Sequence, residues 1–375
     1  MVFTTDKQTL DDLNIFGRQG GESIYQVFNR TSTRGGALIL EELFRYPLSH
    51  PDAINRRSGI IRGFTGTEFP FSPALFDAID SYLSNTDERT KLPTDERSIT
   101  SRLSQLIAVD ADTALIYKGV AALVQLLKAI TLFLASIPTG SAHPYDEERS
   151  AILRLLQEPD LALVIAHPEK VKLAHNTIAA YDLLLRFRHR DTIQQILQYV
   201  YRLDVYCSIA RVARERNFVF AKALPKQRFS VSIDGVYHPQ VKGAVPNSIE
   251  ISPGNNVLFL TGANMAGKST FMKSLSIALF LAHMGFPVAA ARMEFSVLDG
   301  MYTTINLPDN LGMGASHFYA EVLRVKKVAG ELQQGKNIFV VFDELFRGTN
   351  VKDAHEASRT VSLSYRHISS KRVIA

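Results

Sequence analysis

Cysteine is almost missing from this chain: Cys207 is the only one in 375 residues. That excludes an intramolecular disulfide and any cluster of thiolate metal ligands. Its neighbours Tyr206, Ile209 and Val212 mark a packed helix position rather than a reactive thiol. The opening MVFTTDKQTLDDL has no apolar core of the kind a secretory leader needs, so the expected compartment is the cytoplasm. Low-complexity tracts are absent too. Long apolar runs are scarce, and the one that invites comparison with a membrane span is Ala114 to Ile137, ALIYKGVAALVQLLKAITLFLASI. Lys118, Gln125 and Lys128 interrupt it at spacings of seven and three, which puts all three on one helical stripe. The reading is a long core helix with a wet edge and no membrane crossing.

What is present is ordinary for a soluble globular protein: 46% hydrophobic residues and 21% charged. The length implies two domains, each able to bury its own core. A net charge of +5 and a pI near 9.1 point mildly to a polyanionic partner, although many enzymes are as basic.

The chemistry concentrates at Leu258 to Thr270, LFLTGANMAGKST. An apolar run, Val257 to Leu260, reads as a buried strand that delivers the chain into Gly262-Ala-Asn-Met-Ala-Gly-Lys-Ser-Thr270, with a helix expected over about Phe271 to Met284. Strand, glycine-bounded loop and helix form a phosphate-binding context. Gly262 and Gly267 let backbone N–H groups close around oxygens, Lys268 reaches the β- and γ-phosphates, and the Ser269 hydroxyl is placed to ligate Mg²⁺. A second buried strand, Asn337 to Val341, runs through Phe342 into the acidic pair Asp343-Glu344. In phosphate-loop enzymes the first acid supports Mg²⁺, and a carboxylate beside it is well placed to activate water. The ten histidines form no ligand set, since His167 and His175 share a segment without cysteine or a suitable carboxylate. No metal beyond Mg²⁺ is implied.

TGANMAGKST and DELFRGTN resemble the nucleotide-binding motifs TGPNMGGKST and DELGRGTS of the MutS family of DNA mismatch-repair and recombination ATPases, at a similar separation of about seventy residues. Further upstream, Thr31, Gly36, Leu40, Pro47, Leu48, Ile54 and Arg57 stand at places comparable to those opening the family's helical core. Tyr237-His238-Pro239 followed by Val245-Pro246-Asn247 resembles the family's GRHPVV segment and its VPND-type loop. Where the family carries a nearby aromatic that stacks on adenine, this chain has Ala244. Thr303 to Leu323 resembles DDLASGRSTFMVEM, with Asp309-Asn310-Leu311 standing for DDL, Ser316 for the serine offered to the partner subunit's γ-phosphate, and Glu321 for the glutamate. Ser316 reads equally as a helix N-cap with no partner chain. Phe346 and Asn350 depart from the glycine and serine of the pattern, and a bulky Phe346 is expected to reshape the contact between two ATPase domains.

The resemblance implies a multi-domain α and α/β chain. Its parts are an N-terminal segment (1–30), an all-α core or lever domain (31–224) and an ABC-type P-loop ATPase domain with a mixed sheet flanked by helices (225–375). The sequence stops at Val373-Ile374-Ala375, inside what looks like a strand before the family's Thr-His pair, and so reads as a fragment of a longer protein. Implied ligands are ATP, held by Gly262, Asn264, Met265, Ala266, Gly267, Lys268, Ser269 and Thr270, and Mg²⁺ at Ser269 and Asp343. Glu344, Lys268 and, across a homodimer formed by the ATPase domains, Ser316 are the implied catalytic residues. Double-stranded DNA is the implied macromolecular partner. Too few residues precede the core for mismatch-reading and connector domains, and Ser141 to Arg190 is too short for a DNA clamp, so direct mismatch recognition is not expected. The rival reading is a nucleotide-gated protein-interaction module. The basic stretch Asp182 to Arg228 bears on that choice, reading either as a phosphate-binding face or as a solvated helix face with surface ion pairs.

Overall fold

The protein, seen as a computed structural model, is described over residues 3–17, 22–92, 109–137, 144–168, 173–263, 265–305, 317–346, 350–368 and 373–374. Its chain clusters into two compact units. One comprises residues 31–39 and 68–207, and the other residues 1–30, 40–67 and 208–375. A helical N-terminal region is followed by a region of mixed sheet and helix.

The first unit is helical. After the start of α3 (Arg34–Arg45), it contains α5 (Pro73–Ser84), α6 (Val109–Ser136), α7 (Asp146–Leu156), α8 (Pro159–Ile165), α9 (His175–Asp182) and most of α10 (Arg190–Arg216). Sequence dictates the starts: Pro73 and Pro159 stand at first helical positions, where a missing N–H costs nothing. Pro159 makes α8 a separate helix that periodicity alone did not announce. α9 begins at His175, and Leu183–Arg188 continues it as a π-helix. α3 is capped by Thr33, whose hydroxyl accepts the Gly36 N–H at 2.9 Å and donates to Asp204 at 2.7 Å.

α6 is long and apolar enough to cross a membrane by length and composition, with Asp112–Ser136 at a mean hydropathy of 1.8. Its packing is that of a core helix. Ile116, Val120, Leu123, Leu127 and Ile130 are buried, while Lys118 and Gln125 are exposed. Gly119 permits the close approach of α5, because a Cβ there would lie 2.2 Å from Tyr82. Tyr82 in turn donates to Asp182 at 2.7 Å, and Asp182 accepts Arg186 at 2.7 Å, all three side chains being buried. Removing one member of such a pair strands a buried charge and costs about 3–5 kcal/mol.

The second unit carries α1 (Lys7–Asp12), α2 (Ile24–Phe28), α4 (Pro51–Gly63), α11 (Lys268–His283), α12 (His317–Gln333) and α13 (Val351–Ile368). Among the described residues nine strands form three sheets: β1 (Val219–Phe220) with β5 (Pro287–Val288); β2 (Lys222–Leu224), β6 (Arg292–Ser296), β3 (Val231–Val236) and β4 (Asn247–Ile251) in that order; and β7 (Gly300–Thr304), β8 (Ile338–Phe342) and β9 (Val373–Ile374). β7, β8 and β9 are parallel, whereas β3 runs antiparallel to both its neighbours. The near-continuous apolar reading of β8 matches its burial, as a parallel strand covered on both faces requires. Two apolar centres hold the unit. Phe44 and Phe286 pack edge to face at 5.5 Å with Phe28 tilted against both, and Tyr302, Val328, Leu332, Ile338 and Val340 cluster between α12 and the sheet.

The strand expected at Val257 to Leu260 does not form. These residues pair with no described strand, and Phe259 and Leu260 are 75% and 45% exposed. An apolar run specifies burial, but a strand exists only through a neighbour's hydrogen bonds. On the side away from β7, β8 pairs with β9 at Ile338 and Phe339 among the described residues.

His283 ends α11 in full burial, and its hydrogen bonds fix a neutral ring. Nδ1 donates to the Leu279 carbonyl at 2.8 Å and Nε2 accepts the Leu298 N–H at 3.0 Å. Burial pushes its pKa down to about 4, against a partial upward pull from the Leu279 carbonyl. Below pH 6.5 the unfolded chain binds a proton that the folded chain refuses, so stability declines with acid. Between pH 6.5 and 5 this group removes on the order of 2 kcal/mol. Denaturant titrations at both pH values check it: His283→Asn, less stable throughout, loses this part of the slope, and an unchanged slope contradicts the assignment.

Candidate functional site

α11 begins where Gly267 turns left-handed (φ 88°), a conformation glycine takes freely, and the Phe271 N–H closes the first turn onto the Gly267 carbonyl at 2.9 Å. The N–H groups of that first turn have no intrahelical acceptor and form the positive end of the helix. Before it, the Ala266 N–H donates to the Ala263 carbonyl at 3.2 Å, tightening the loop, and Met265 stands fully exposed at φ 66°. Lys268 curls back over the loop, its ammonium donating to the Gly262 and Ala263 carbonyls at 2.7 and 2.9 Å. Those carbonyls hold the cation where an anion in the loop would compete for it. Thr270 is exposed in the first turn of α11, and Asn264 lies outside the described residues.

The acidic motif meets this loop at Ser269. The Ser269 hydroxyl donates to Asp343 Oδ2 at 2.7 Å, joining residues 74 apart in sequence. Asp343 stands just past β8, and its own N–H donates to the Thr304 carbonyl at 2.9 Å, one rung beyond the last β7–β8 pair. Glu344 follows at φ 49°, exposed. A hydroxyl and a carboxylate in direct contact, beside an ammonium and a helix N-terminus, are the donor set that a magnesium–phosphate group requires. Lys268, Asp343 and Glu344 line a cavity of about 710 Å³ together with residues 257–261, α11 and β8. That volume falls in the range of small-ligand sites, about 300–1,000 Å³. Ser316 and Asp309-Asn310-Leu311 lie outside the described residues, and Glu321 is buried in α12.

Phe346, which stands where the family pattern has a glycine, is turned into the protein. Its side chain is 3% exposed and packs on Phe318 of α12 with ring centroids 5.6 Å apart. Its φ of 65° is left-handed, a geometry that costs a non-glycine residue about 1–2 kcal/mol. Burial of the ring offsets that strain.

The basic stretch from Asp182 onward is largely engaged with the protein itself. Arg186 is buried on Asp182, Arg188 pairs with Asp160 at 3.2 Å, and Arg190 donates to the Leu83 carbonyl. In the other unit Arg211 donates to the Arg30 carbonyl at 2.7 Å and Arg216 to the Pro239 carbonyl at 3.0 Å.

Sequence reasoning passed over the N-terminal carboxylates. Asp6 caps α1 by accepting the Thr9 N–H at 3.1 Å, and it pairs with Arg324 and Lys327 of α12. Burial alone pushes the Asp6 carboxyl up, but hydrogen bonds from both cations outweigh it and hold the group below the ordinary carboxylate range. Asp12, at the other end of α1, is buried against β7. The available signal was the D-x-x-T-x-x-D spacing, a capped turn with three polar groups on one side.

Residues 258–373 match the family model described as MutS domain V, and residues 8–210 that of MutS domain III. The DNA mismatch repair protein MutS of Halalkalibacterium halodurans is 30% identical over 198 residues, 50% of this chain and 22% of that protein. The Fusobacterium nucleatum protein of the same description is 30% identical over 232 residues, 58% of this chain and 25% of its own length. That of Bacillus licheniformis is 28% identical over 275 residues, covering 68% and 31%. The chain thus spans roughly a quarter of the length of these relatives. With domain III matched over more than half of the sequence and domain V over the phosphate-loop region, the chain belongs to the MutS family.

Proposed function

We propose that the chain is a magnesium-dependent ATPase whose nucleotide state controls binding to DNA in mismatch repair or recombination. The Ser269–Asp343 contact carries this reading, because it brings the phosphate-loop hydroxyl and the acid after β8 to one point. In the proposal residues 225–375 are an ABC-type P-loop ATPase domain, and residues 31–224 a helical lever that moves when two ATPase domains of a cytoplasmic homodimer close on ATP.

The proposed roles follow the chemistry of each group. Backbone N–H groups from Gly262 to Thr270 and the start of α11 bind phosphate oxygens. Lys268 leaves the Gly262 and Ala263 carbonyls to neutralise the β- and γ-phosphates. Ser269 and Asp343 hold Mg²⁺, which when bound polarises the phosphate oxygens and offsets their charge. Glu344 orients and deprotonates water, and Ser316 is offered to the nucleotide of the partner subunit. Ala244 supplies no aromatic stack for the adenine, so the phosphates carry most of the affinity.

A second reading, a nucleotide-gated interaction module that never touches DNA, is favoured by the bonds that Arg186, Arg188, Arg190, Arg211 and Arg216 make within the protein. Fluorescence anisotropy with matched, mismatched and branched duplexes, in ADP and in a non-hydrolysable ATP analogue, separates the two. Salt-sensitive binding that changes with nucleotide supports the DNA-acting switch, whereas no binding in any state leaves the interaction module.

For the ATPase itself, Lys268→Ala is expected to abolish ATP binding, and Glu344→Ala to retain binding while losing turnover at least a hundredfold. Phosphate release and equilibrium nucleotide binding, measured on the same preparations, check both. Hydrolysis that persists in either variant contradicts the assignment.

A further inference from the structure

The polar side of α1 is spent on the end of β7 rather than on solvent. Asp6, Thr9 and Asp12 recur every three residues and so share one side of the helix. Asp12 Oδ2 accepts the Thr303 hydroxyl at 2.8 Å and the Ile305 N–H at 2.9 Å, and the Thr9 hydroxyl accepts the Thr303 N–H at 3.0 Å. Arg324, reaching in from α12, donates to the Thr303 carbonyl at 2.7 Å and to the Thr304 hydroxyl at 3.2 Å while paired with Asp6. Thr9, Asp12, Thr303, Thr304 and Arg324 are all buried, where each of these bonds is stronger than in water.

The residue framed by those bonds is Thr304. Asp12 holds Thr303 on one side of it and Ile305 on the other, and the Thr304 carbonyl is the acceptor for the Asp343 N–H. Asp343 then accepts the Ser269 hydroxyl. One unbroken route of hydrogen bonds and a single strand end therefore leads from the N-terminal helix to the contact between the phosphate loop and the acidic motif. From this geometry we infer that Asp12 is a positioning residue for Asp343: by fixing the last turn of backbone in β7 it sets the Thr304 carbonyl, and through it the carboxylate that meets Ser269. The part of the inference that concerns metal and nucleotide rests on the proposed reading of that contact as the magnesium–phosphate site. The part that concerns the backbone of Asp343 does not.

The two bonds from Asp12 to the end of β7 land on one oxygen, so asparagine, whose carbonyl oxygen has two lone pairs, preserves them. Gln8, which donates to Asp12 Oδ1 at 2.8 Å, can turn its amide to accept from the asparagine instead. Alanine preserves neither. Thr4 is the matched control: it anchors the same N-terminal segment at the opposite end of β7, bridging Gly300 and donating its hydroxyl to the Asp299 carbonyl at 3.1 Å.

The test compares the wild-type chain with Asp12→Ala, Asp12→Asn and Thr4→Val in two measurements. Amide hydrogen exchange of the segment containing Asp343 is followed without nucleotide, and Mn²⁺ binding in the presence of a non-hydrolysable ATP analogue is followed by paramagnetic resonance. The expected result for Asp12→Ala is exchange at Asp343 about tenfold faster and Mn²⁺ affinity about tenfold weaker, with Asp12→Asn and Thr4→Val close to wild type in both. Should Asp12→Ala fail to fold, Thr303→Val removes the hydroxyl bond alone and is expected to move both readouts in the same direction by a smaller factor. Unchanged exchange at Asp343 in a folded Asp12→Ala chain overturns the inference, as does equal loss in Thr4→Val, which would mark a general loosening. Faster exchange in Asp12→Ala with no uptake of Mn²⁺ and nucleotide by the wild type upholds the positioning of Asp343 and overturns the magnesium–phosphate reading instead.

Discussion

A hydrogen bond from the Ser269 hydroxyl to Asp343 ties the loop before α11 to the acidic pair after β8. Each motif alone is a local device. The loop before α11 presents N–H groups and an ammonium, and the end of β8 presents carboxylates; neither holds a metal and a phosphate without the other. Their meeting requires α11 and β8 to be placed to within an ångström, which is work for the packed sheet rather than for the motifs. Tyr302, Val328, Leu332, Ile338 and Val340 provide that packing on one side of β8.

The same constraint explains why an N-terminal helix of six residues matters so far from its place in the sequence. α1 is too short to be stable by itself, so it persists only because its buried polar side is satisfied by β7 and α12. In return it gives the end of β7 a fixed backbone. Stability and site geometry are coupled here through the same few bonds, and residues nearly 300 positions apart share one purpose.

What could be read from sequence was local. The glycine-bounded loop, the helix after it and the apolar strand before Asp343 all announce themselves within a dozen residues, and the structure contains each of them. Misreadings arose where a partner distant in sequence decides. Val257 to Leu260 has the composition of a strand but no ladder to join. Arg186 belongs to a run that reads as surface charge, yet it is paired with Asp182 at helical spacing and buried by Tyr82. Phe346 turns inward onto Phe318, a contact that no short motif could signal. Asp12 was one acid among several until β7 was found beside it.

The central claim is that the loop of residues 262–270 and Asp343 form one site for a nucleotide's phosphates and its magnesium ion. The most direct measurement is a crystal structure of the chain with Mg²⁺ and a non-hydrolysable ATP analogue. The account predicts phosphate oxygens on the N–H groups at the start of α11, the Lys268 ammonium released from the Gly262 and Ala263 carbonyls, and the metal between Ser269 and Asp343. Nucleotide seated elsewhere, or bound while Lys268 and the Ser269–Asp343 bond stay as they are, contradicts it.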